Sequence, residues 1–186
     1  MKDTSAEGLL TGFLIRERNS LVAKYVKGKN LIDVGCERGS LPAFLPRGIG
    51  YTGADILPKE KFSPKFRYLK ASIEKGLGKK ENGKYDCVVM AAVIEHLSKP
   101  DSAIRNCGSL LKPGGRLILT TPTKTGDSLH KTISRIGLVS LDAAEGHQHI
   151  FTMEELTGLF EKSGFSVTES KTFQFGMNQL VVGEKK

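Results

Sequence analysis

The sequence predicts an α/β protein with a mostly parallel, buried sheet, packed by helices and finished by an antiparallel hairpin. Three observations carry this. Short apolar runs bounded by Gly, Pro or Asn recur along most of the chain, as strands covered on both faces do. Helical or turn segments separate them, and strands alternating with crossovers pair in parallel. The last two runs, FSVTESKTF (165–173) and NQLVVGEK (178–185), are joined by only the four residues QFGM. That gap is too short for a parallel crossover, so these two strands pair antiparallel.

The elements follow in order. Residues 9–27 place Leu10, Phe13, Leu14, Leu21, Tyr25 and Val26 on roughly one face, the pattern of one or two amphipathic helices. Five strands come next: NLIDV (30–34), YTGADI (51–56), FRYLKA (66–71), YDCVVMA (85–91) and GRLILTT (115–121). Between the first two, SLPAFL (40–45) starts at a capping-type Ser40 and is stopped by Pro46. A helix in 101–115 opens on Asp101 and ends in the breaker Lys112 to Gly115. The helix of Thr152 to Ser163 presents Leu156, Leu159 and Phe160 behind a Thr152–Glu155 capping box, and Gly164 supplies its stop.

At 186 residues the chain is one domain, too short for separate cofactor and substrate domains. With 39% hydrophobic and 26% charged residues it has an ordinary globular composition, without a run of about 20 apolar residues or a signal-peptide pattern. Cys36, Cys87 and Cys107 are odd in number and lack CxxC spacing, which argues against disulfides or a zinc site and for a reducing, cytoplasmic setting. The net charge of +8 is concentrated in residues 59–84, where nine Lys or Arg face three acids. Phe62, Phe66 and Tyr68 there have strand-like spacing, so the segment reads first as a solvated face and second as a polyanion contact.

The chemistry gathers at LIDVGCERGSL (31–41), an apolar strand opening onto a glycine loop. A pyrophosphate cradle has the spacing GxGxxG at a helix N-terminus. Here GCERG puts Asp33 just before the loop and Glu37 inside it, and two carboxylates repel phosphate. The same acids suit a ligand carrying an ammonium and a sulfonium. Asp55, about 20 residues further on at the end of the second strand, is placed to accept hydrogen bonds from two ribose hydroxyls. A cationic, ribose-bearing ligand at the carboxyl ends of a parallel sheet points to S-adenosylmethionine.

On these residues the chain resembles the class I S-adenosylmethionine-dependent methyltransferases, most of all the small stand-alone group that includes ubiquinone-biosynthesis-type enzymes. LIDVGCERG matches the first motif, YTGADI the second, YLKASIE the third, YDCVVMAAVIEHL the fourth, and LLKPGGRLILTTP the segment into the fifth strand; HIFTMEELTGLFEKSGF (149–165) is similar to the late helix. The resemblance implies a Rossmann-like seven-stranded sheet, order 3-2-1-4-5-7-6 with strand 7 antiparallel and helices on both faces. It implies a cofactor site in which Asp33, Gly35, Cys36, Glu37 and Gly39 surround the methionine half, and Asp55 and Ile56 the ribose and adenine. Ala71, Ser72 and Ile73 would border the adenine ring, and Met90, Ala91 and Ala92 the sulfonium. Residues 1–28 would form a helical cap, 29–121 the cofactor-binding core, 122–148 a substrate lid, and 149–186 the final helix and hairpin.

Glu37 stands where the family has a glycine, which calls for an unusual backbone conformation. Metal-using relatives carry an acid three positions before the Glu95–His96 pair; Ala92 stands there, so no metal is expected. The base candidates are His96 after strand 4 and His147 and His149 after the lid. Amphipathic Leu129, Ile133 and Ile136, with basic Lys124, Lys131 and Arg135, make the lid the place for acceptor choice and raise an acidic or phosphate-bearing acceptor. The sequence lacks an Asn-Pro-Pro-aromatic motif and a Pro-Cys nucleophile. Methyl transfer to an oxygen or nitrogen of a small molecule is the leading expectation. An RNA or protein methyltransferase and a non-catalytic cofactor-binding partner subunit are the alternatives.

Overall fold

Strands β1 (Asn30–Val34), β2 (Gly50–Asp55), β3 (Arg67–Lys70), β4 (Tyr85–Ala91), β5 (Leu111–Pro122), β6 (Phe165–Phe173) and β7 (Asn178–Lys185) form one sheet. Its order is β3-β2-β1-β4-β5-β7-β6. The computed structural model describes residues 9–61, 65–128 and 148–186. β1 through β5 pair in parallel, whereas β7 runs antiparallel to both β5 and β6, so the topology expected from the resemblance and from the short QFGM turn is the one observed.

Side-chain alternation along the strands divides the core in two. Ile32, Val34, Val88, Met90, Leu117, Leu119 and Val181 face α2 (Pro100–Leu110) and α3 (Met153–Lys162). Leu31, Cys87, Val89, Ile118, Leu180 and Val182 face the other way, toward α1 (Leu9–Tyr25) through Val22 and toward the 3₁₀ turn Leu41–Phe44. Helices thus lie on both faces. Each fully buried Leu, Ile or Phe contributes about 1.5–3 kcal/mol, which outweighs weak local propensities in the short connections.

The local signals that hold are those with hydrogen-bond partners. In α3 the Thr152 hydroxyl accepts from the Glu155 N–H at 3.2 Å, and the Glu155 carboxylate accepts from the Thr152 N–H at 2.7 Å. Ser40 makes no such side-chain cap; it accepts instead from the Asn19 amide of α1. Asp101 lies inside the first turn of α2, which starts at Pro100, while the Lys99 N–H donates to Glu74. The final parallel strand begins at Leu111 and not at Gly115, because Tyr85 pairs with Leu111 across a bulge. The N-terminal segment is a single helix; Leu21, Tyr25 and Val26 of the expected face pack on the α1-side core beside the fully buried Val22, whereas Phe13 is 54% exposed.

β3 is a sheet edge, and Arg67 and Lys70 on it are exposed, as are Lys59, Lys65, Lys75, Lys79, Lys80 and Lys84 around it. Exposed lysines on an edge strand oppose pairing with another chain, so the basic run has a structural role. Phe66 and Tyr68 pack on the α1-side core, as strand spacing requires; Phe62 lies outside the described residues.

One charged cluster is built into the amino end of the sheet. The carboxylate of Glu81, only 6% exposed, takes two hydrogen bonds from Arg67, at 2.7 and 2.9 Å, and one from the Tyr85 hydroxyl at 2.6 Å. The Arg67 bonds are the main reason its pKa is pulled down to about 2. Because the folded value lies below the ordinary 4.5, Glu81 contributes stability above pH 4.5 that is lost as the pH falls toward 2. Thermal melts should therefore drop across that window, and Glu81→Gln should melt lower at pH 7 with a flatter acid limb.

Candidate cofactor and active site

The site is assembled at the carboxyl ends of β1, β2 and β4. Gly35, with φ 73°, turns the chain out of β1, and its N–H donates to the Ala54 carbonyl at 2.8 Å. A Cβ at Gly35 would stand 2.2 Å from the Val93 methyl after β4, so only glycine admits this approach. The loop closes through the Gly39 N–H, 2.7 Å from the Cys36 carbonyl. Glu37 has the expected unusual backbone, φ 46°. Its N–H donates to Asp55 Oδ2 at 2.8 Å, and the Leu57 N–H donates to Asp55 Oδ1 at 3.0 Å. The Asp55 carboxylate is thereby fixed beside the glycine loop with lone pairs to spare for two hydroxyls.

Glu37 itself points outward: its side chain is 68% exposed and 4.0 Å from Arg38. Asp33 points inward on the α1 face, one alternation beyond Leu31, and accepts from the Tyr51 hydroxyl at 2.7 Å. Burial pushes its pKa up to about 7, and a nearby Asp55 adds to this, while the Tyr51 hydrogen bond and Arg18 oppose it. Cys36 is buried beside them, and burial raises its thiol far above the ordinary range, so it is inert packing at neutral pH.

The remaining residues expected at the cofactor fall into two groups. Ala71 and Ser72 are half-buried after β3, the Ala71 N–H donating to the Asp55 carbonyl, and Ile56 is 69% exposed at the mouth. Ala91 and Ala92 are half-buried at the end of β4, Ala92 with φ 57°. Met90 and Ile73 send their side chains into the α2-side core, so only their backbone is available to a ligand. His96 is exposed on the turn Ile94–His96. His149 is drawn to the same turn by its N–H, 3.2 Å from the Glu95 carbonyl, but its ring borders a surface cleft of about 350 Å³ with Pro100, Phe151 and Glu154. That places His149 toward the α2–α3 side and away from the glycine loop. His147, Leu129, Ile133, Ile136, Lys131 and Arg135 lie outside the described residues; Lys124 is exposed.

Two ionisable residues of this region were not among the expected site residues. Arg18 of α1 is half-buried, and its Nε is sealed from water without a hydrogen-bond partner. Desolvation lowers its pKa from the ordinary value, against the pull of Glu95, Asp33 and Glu37, which marks it as the cation in the middle of the acidic site. A detectable signal exists: Arg18 shares a helix face, at i and i+4, with the buried Val22. Glu95, 1% exposed, accepts from the Thr121 hydroxyl at 3.0 Å, and its carbonyl takes the Gln148 N–H at 2.7 Å. The Thr120 hydroxyl, on the neighbouring position of β5, is also buried without a partner.

Fold and site together define a Rossmann-like methyltransferase of class I, whose cofactor is S-adenosylmethionine. The sequence model described as a methyltransferase domain matches residues 8–170, and the chain belongs to that family. It is 32% identical over 107 residues to the ubiquinone biosynthesis O-methyltransferase of Xanthomonas oryzae pv. oryzae, an alignment covering 53% of this chain and 45% of that protein. The chain thus spans under half the length of the curated relatives it matches. Among solved structures, Burkholderia thailandensis 1,6-didemethyltoxoflavin-N1-methyltransferase, with bound 1,6-didemethyltoxoflavin and S-adenosylhomocysteine, superposes with a TM-score of 0.68. That match has 16% identity over 99% of this chain and 80% of that one. An Archaeoglobus fulgidus SAM-dependent methyltransferase gives a TM-score of 0.71 at 17% identity, covering 93% of this chain and 94% of that one.

The donor set fits the cofactor. Acids that would repel a phosphate suit an ammonium and a sulfonium, Asp55 suits ribose, and the unpartnered Arg18 Nε suits a carboxylate. Two substitutions test this geometry. Glu37→Gly should relieve the left-handed strain, raise the melting temperature by about 2–4 °C and leave cofactor affinity within about twofold, since the side chain points away. Gly35→Ala should drive a methyl into Val93 and abolish measurable binding in the same calorimetric titration.

Proposed function

We propose that this chain transfers a methyl group to an oxygen or nitrogen of a small-molecule acceptor. The observation that carries the reading is the charge pattern of the site: a buried acid, Asp33, an Asp55 carboxylate held by the Glu37 N–H, and the half-buried Arg18 with its Nε sealed from water, around one glycine turn. When bound, S-adenosylmethionine supplies an electrophilic methyl carbon on a sulfonium. Asp55 would hold the ribose hydroxyls, Arg18 the carboxylate, and Asp33 the positive end of the methionine half. The half-buried Ala71 and Ser72 leave room for the adenine, with Ile56 over it, and the small Ala91 and Ala92 leave room beside the sulfonium.

Holding nucleophile and methyl carbon in line can supply about 7–11 kcal/mol of the barrier. An oxygen or nitrogen acceptor must also lose its proton, and His96, exposed after β4, would be the ring nitrogen that takes it. Residues 122–148 would form the acceptor side, with residues 1–28 as the helical cap. Lys124, at the start of that segment, would meet an acidic group on the acceptor. The exposed cations around β3 favour an RNA substrate only if binding falls steeply with salt.

The Asp33 carboxyl gives this reading a measurable signature. Its folded pKa near 7 exceeds the ordinary 3.8, so in the ligand-free protein it contributes stability below pH 4 that is lost as the pH rises to 7. A cationic ligand pulls that value down and expels the proton. Calorimetry with S-adenosylhomocysteine and S-adenosylmethionine at pH 7 should show binding heats that vary with buffer ionisation enthalpy, reporting proton release. Asp33→Asn should abolish that variation. Absence of binding by either ligand at millimolar concentration would overturn the proposed function, and a labelled-methyl screen of metabolite extracts would then identify the acceptor if binding holds.

A further inference from the structure

Among the described residues the sheet contains two tyrosine–carboxylate pairs, and they are compensated differently. At the amino end the Tyr85 hydroxyl donates to Glu81 at 2.6 Å, and Arg67 adds a two-pronged ion pair, so the fold itself holds that acid charged. At the carboxyl end the Tyr51 hydroxyl donates to Asp33 Oδ2 at 2.7 Å. Asp33 has no ion pair among the described residues, and Tyr51 is the donor that its carboxylate meets there. A buried carboxylate with one hydrogen bond is incompletely satisfied, since its two oxygens can accept about four.

The strand register delivers this hydroxyl. β1 and β2 pair in parallel with Leu31 opposite Tyr51 and Asp33 opposite Gly53. Leu31 and Tyr51 both belong to the α1-side core, and Asp33 follows Leu31 by one alternation on that face. The tyrosine must therefore reach two residues along the sheet, about 6.6 Å, to meet the acid. Gly53, the position it passes, carries no side chain to stand in the way. The ring is held for that reach: it is 6% exposed and meets Phe66 edge-on, with 5.2 Å between centroids and 66° between planes. Any backbone carbonyl would satisfy a buried tyrosine hydroxyl, yet this one is directed to the acid beside the glycine loop.

Occupying Oδ2 has two effects. It leaves Oδ1 as the oxygen that a ligand can use, and it favours the carboxylate over the acid. Burial above all, with Asp55 beside it, favours neutral Asp33; the Tyr51 bond and Arg18 of α1 favour the charged form. Tyr51 remains a donor throughout, because burial and the charge of Asp33 push its own ionisation far above the ordinary range. The other titratable groups nearby are the thiols of Cys36 in the loop and Cys87 on β4, both raised by burial and so neutral, and Glu95 and Glu37, whose charges act on Arg18.

We propose that Tyr51 is a positioning residue for the cofactor: its hydroxyl orients the Asp33 carboxylate and keeps it charged, so that the remaining oxygen receives the ammonium of the methionine half. This rests on the methyl-transfer reading, in which Asp33 holds that positive end, and adds a residue that acts through Asp33 and touches neither cofactor nor acceptor. Removing one hydroxyl outside the binding surface should then change how binding depends on pH.

Calorimetric titration of S-adenosylhomocysteine into the full chain tests it, comparing the wild type with Tyr51→Phe, Asp33→Asn and the double variant. Tyr51→Phe keeps the ring and its contact with Phe66, so it should fold as the wild type does. Its affinity should fall about fivefold to tenfold below the wild type at about pH 6 to 7 and return to within about twofold at about pH 9, where the acid is charged without help. The ligand's own amine titrates alike in both proteins and cancels from the ratio. In the Asp33→Asn background the same substitution should change affinity by less than about twofold at every pH, because the group it acts on is gone. A loss of equal size at all pH values, or one that persists in the Asp33→Asn background, overturns the proposal and makes Tyr51 a packing residue, while wild-type binding leaves the methyl-transfer reading standing. An undiminished affinity of Tyr51→Phe at neutral pH overturns it as well. A wild type that does not bind removes the methyl-transfer reading and this proposal with it.

Discussion

The approach of Gly35 to Val93 is the constraint on which the rest of the site depends. Because Gly35 has no Cβ, which would stand 2.2 Å from a Val93 methyl, the chain leaving β1 can drop between the end of β2 and the turn after β4. From there its N–H groups reach Ala54 and Asp55, and those bonds fix the Asp55 carboxylate beside the glycine loop. A parallel sheet places its loops at one edge; this contact decides how closely two of them converge there.

Convergence concentrates charge where water is scarce. Asp33 and Glu95 are almost wholly buried, and Arg18 lies among them with one nitrogen unsatisfied. Buried charges are tolerated when opposite charges and hydrogen bonds offset desolvation, and Tyr51 and Thr121 provide those bonds here. The balance is incomplete in the protein alone, as the half-protonating Asp33 and the orphaned Arg18 Nε and Thr120 hydroxyl show. On the proposed function, a zwitterionic, cationic-centred ligand would complete it, so that unmet electrostatic demand in the fold would act as preorganisation for that ligand.

Much of the fold was legible because its signals were local. NLIDV, YDCVVMA and both hairpin strands have the bounds read from apolar runs and turn residues, and the Thr152–Glu155 box forms with both of its bonds. The loop motif likewise anticipated the unusual backbone of Glu37, and the loop it marked does meet Asp55. What escaped depends on where helices pack. On α1 the expected Leu21, Tyr25 and Val26 do pack on the core, but Phe13 points to solvent and Val22, which was not named, is fully buried; Arg18, one turn before Val22, was missed with it. Met90 and Ile73 were read as lining residues because motif position does not say which face a strand residue takes; alternation through Val88 and Val34 sends them to the core. His149 was a base candidate as a residue that follows the expected lid; its backbone N–H reaches Glu95, while the residue lines the cleft between α2 and α3.

The anchoring at either side of residues 129–147 bears on how that stretch can vary. At one end Thr123 is bonded to the β6–β7 turn, and Gly126 fits against the Met177 carbonyl where a Cβ would come within 1.8 Å. At the other, Gln148 is bonded to Glu95. Both tethers lie on the rigid frame, so the distance the intervening stretch must span is set without reference to its sequence. Doubling its length would cost only about 0.6 kcal/mol in closure entropy. Insertions and replacements between these two fixed posts are thus cheap, and they leave the glycine loop and the Asp55 bonds undisturbed.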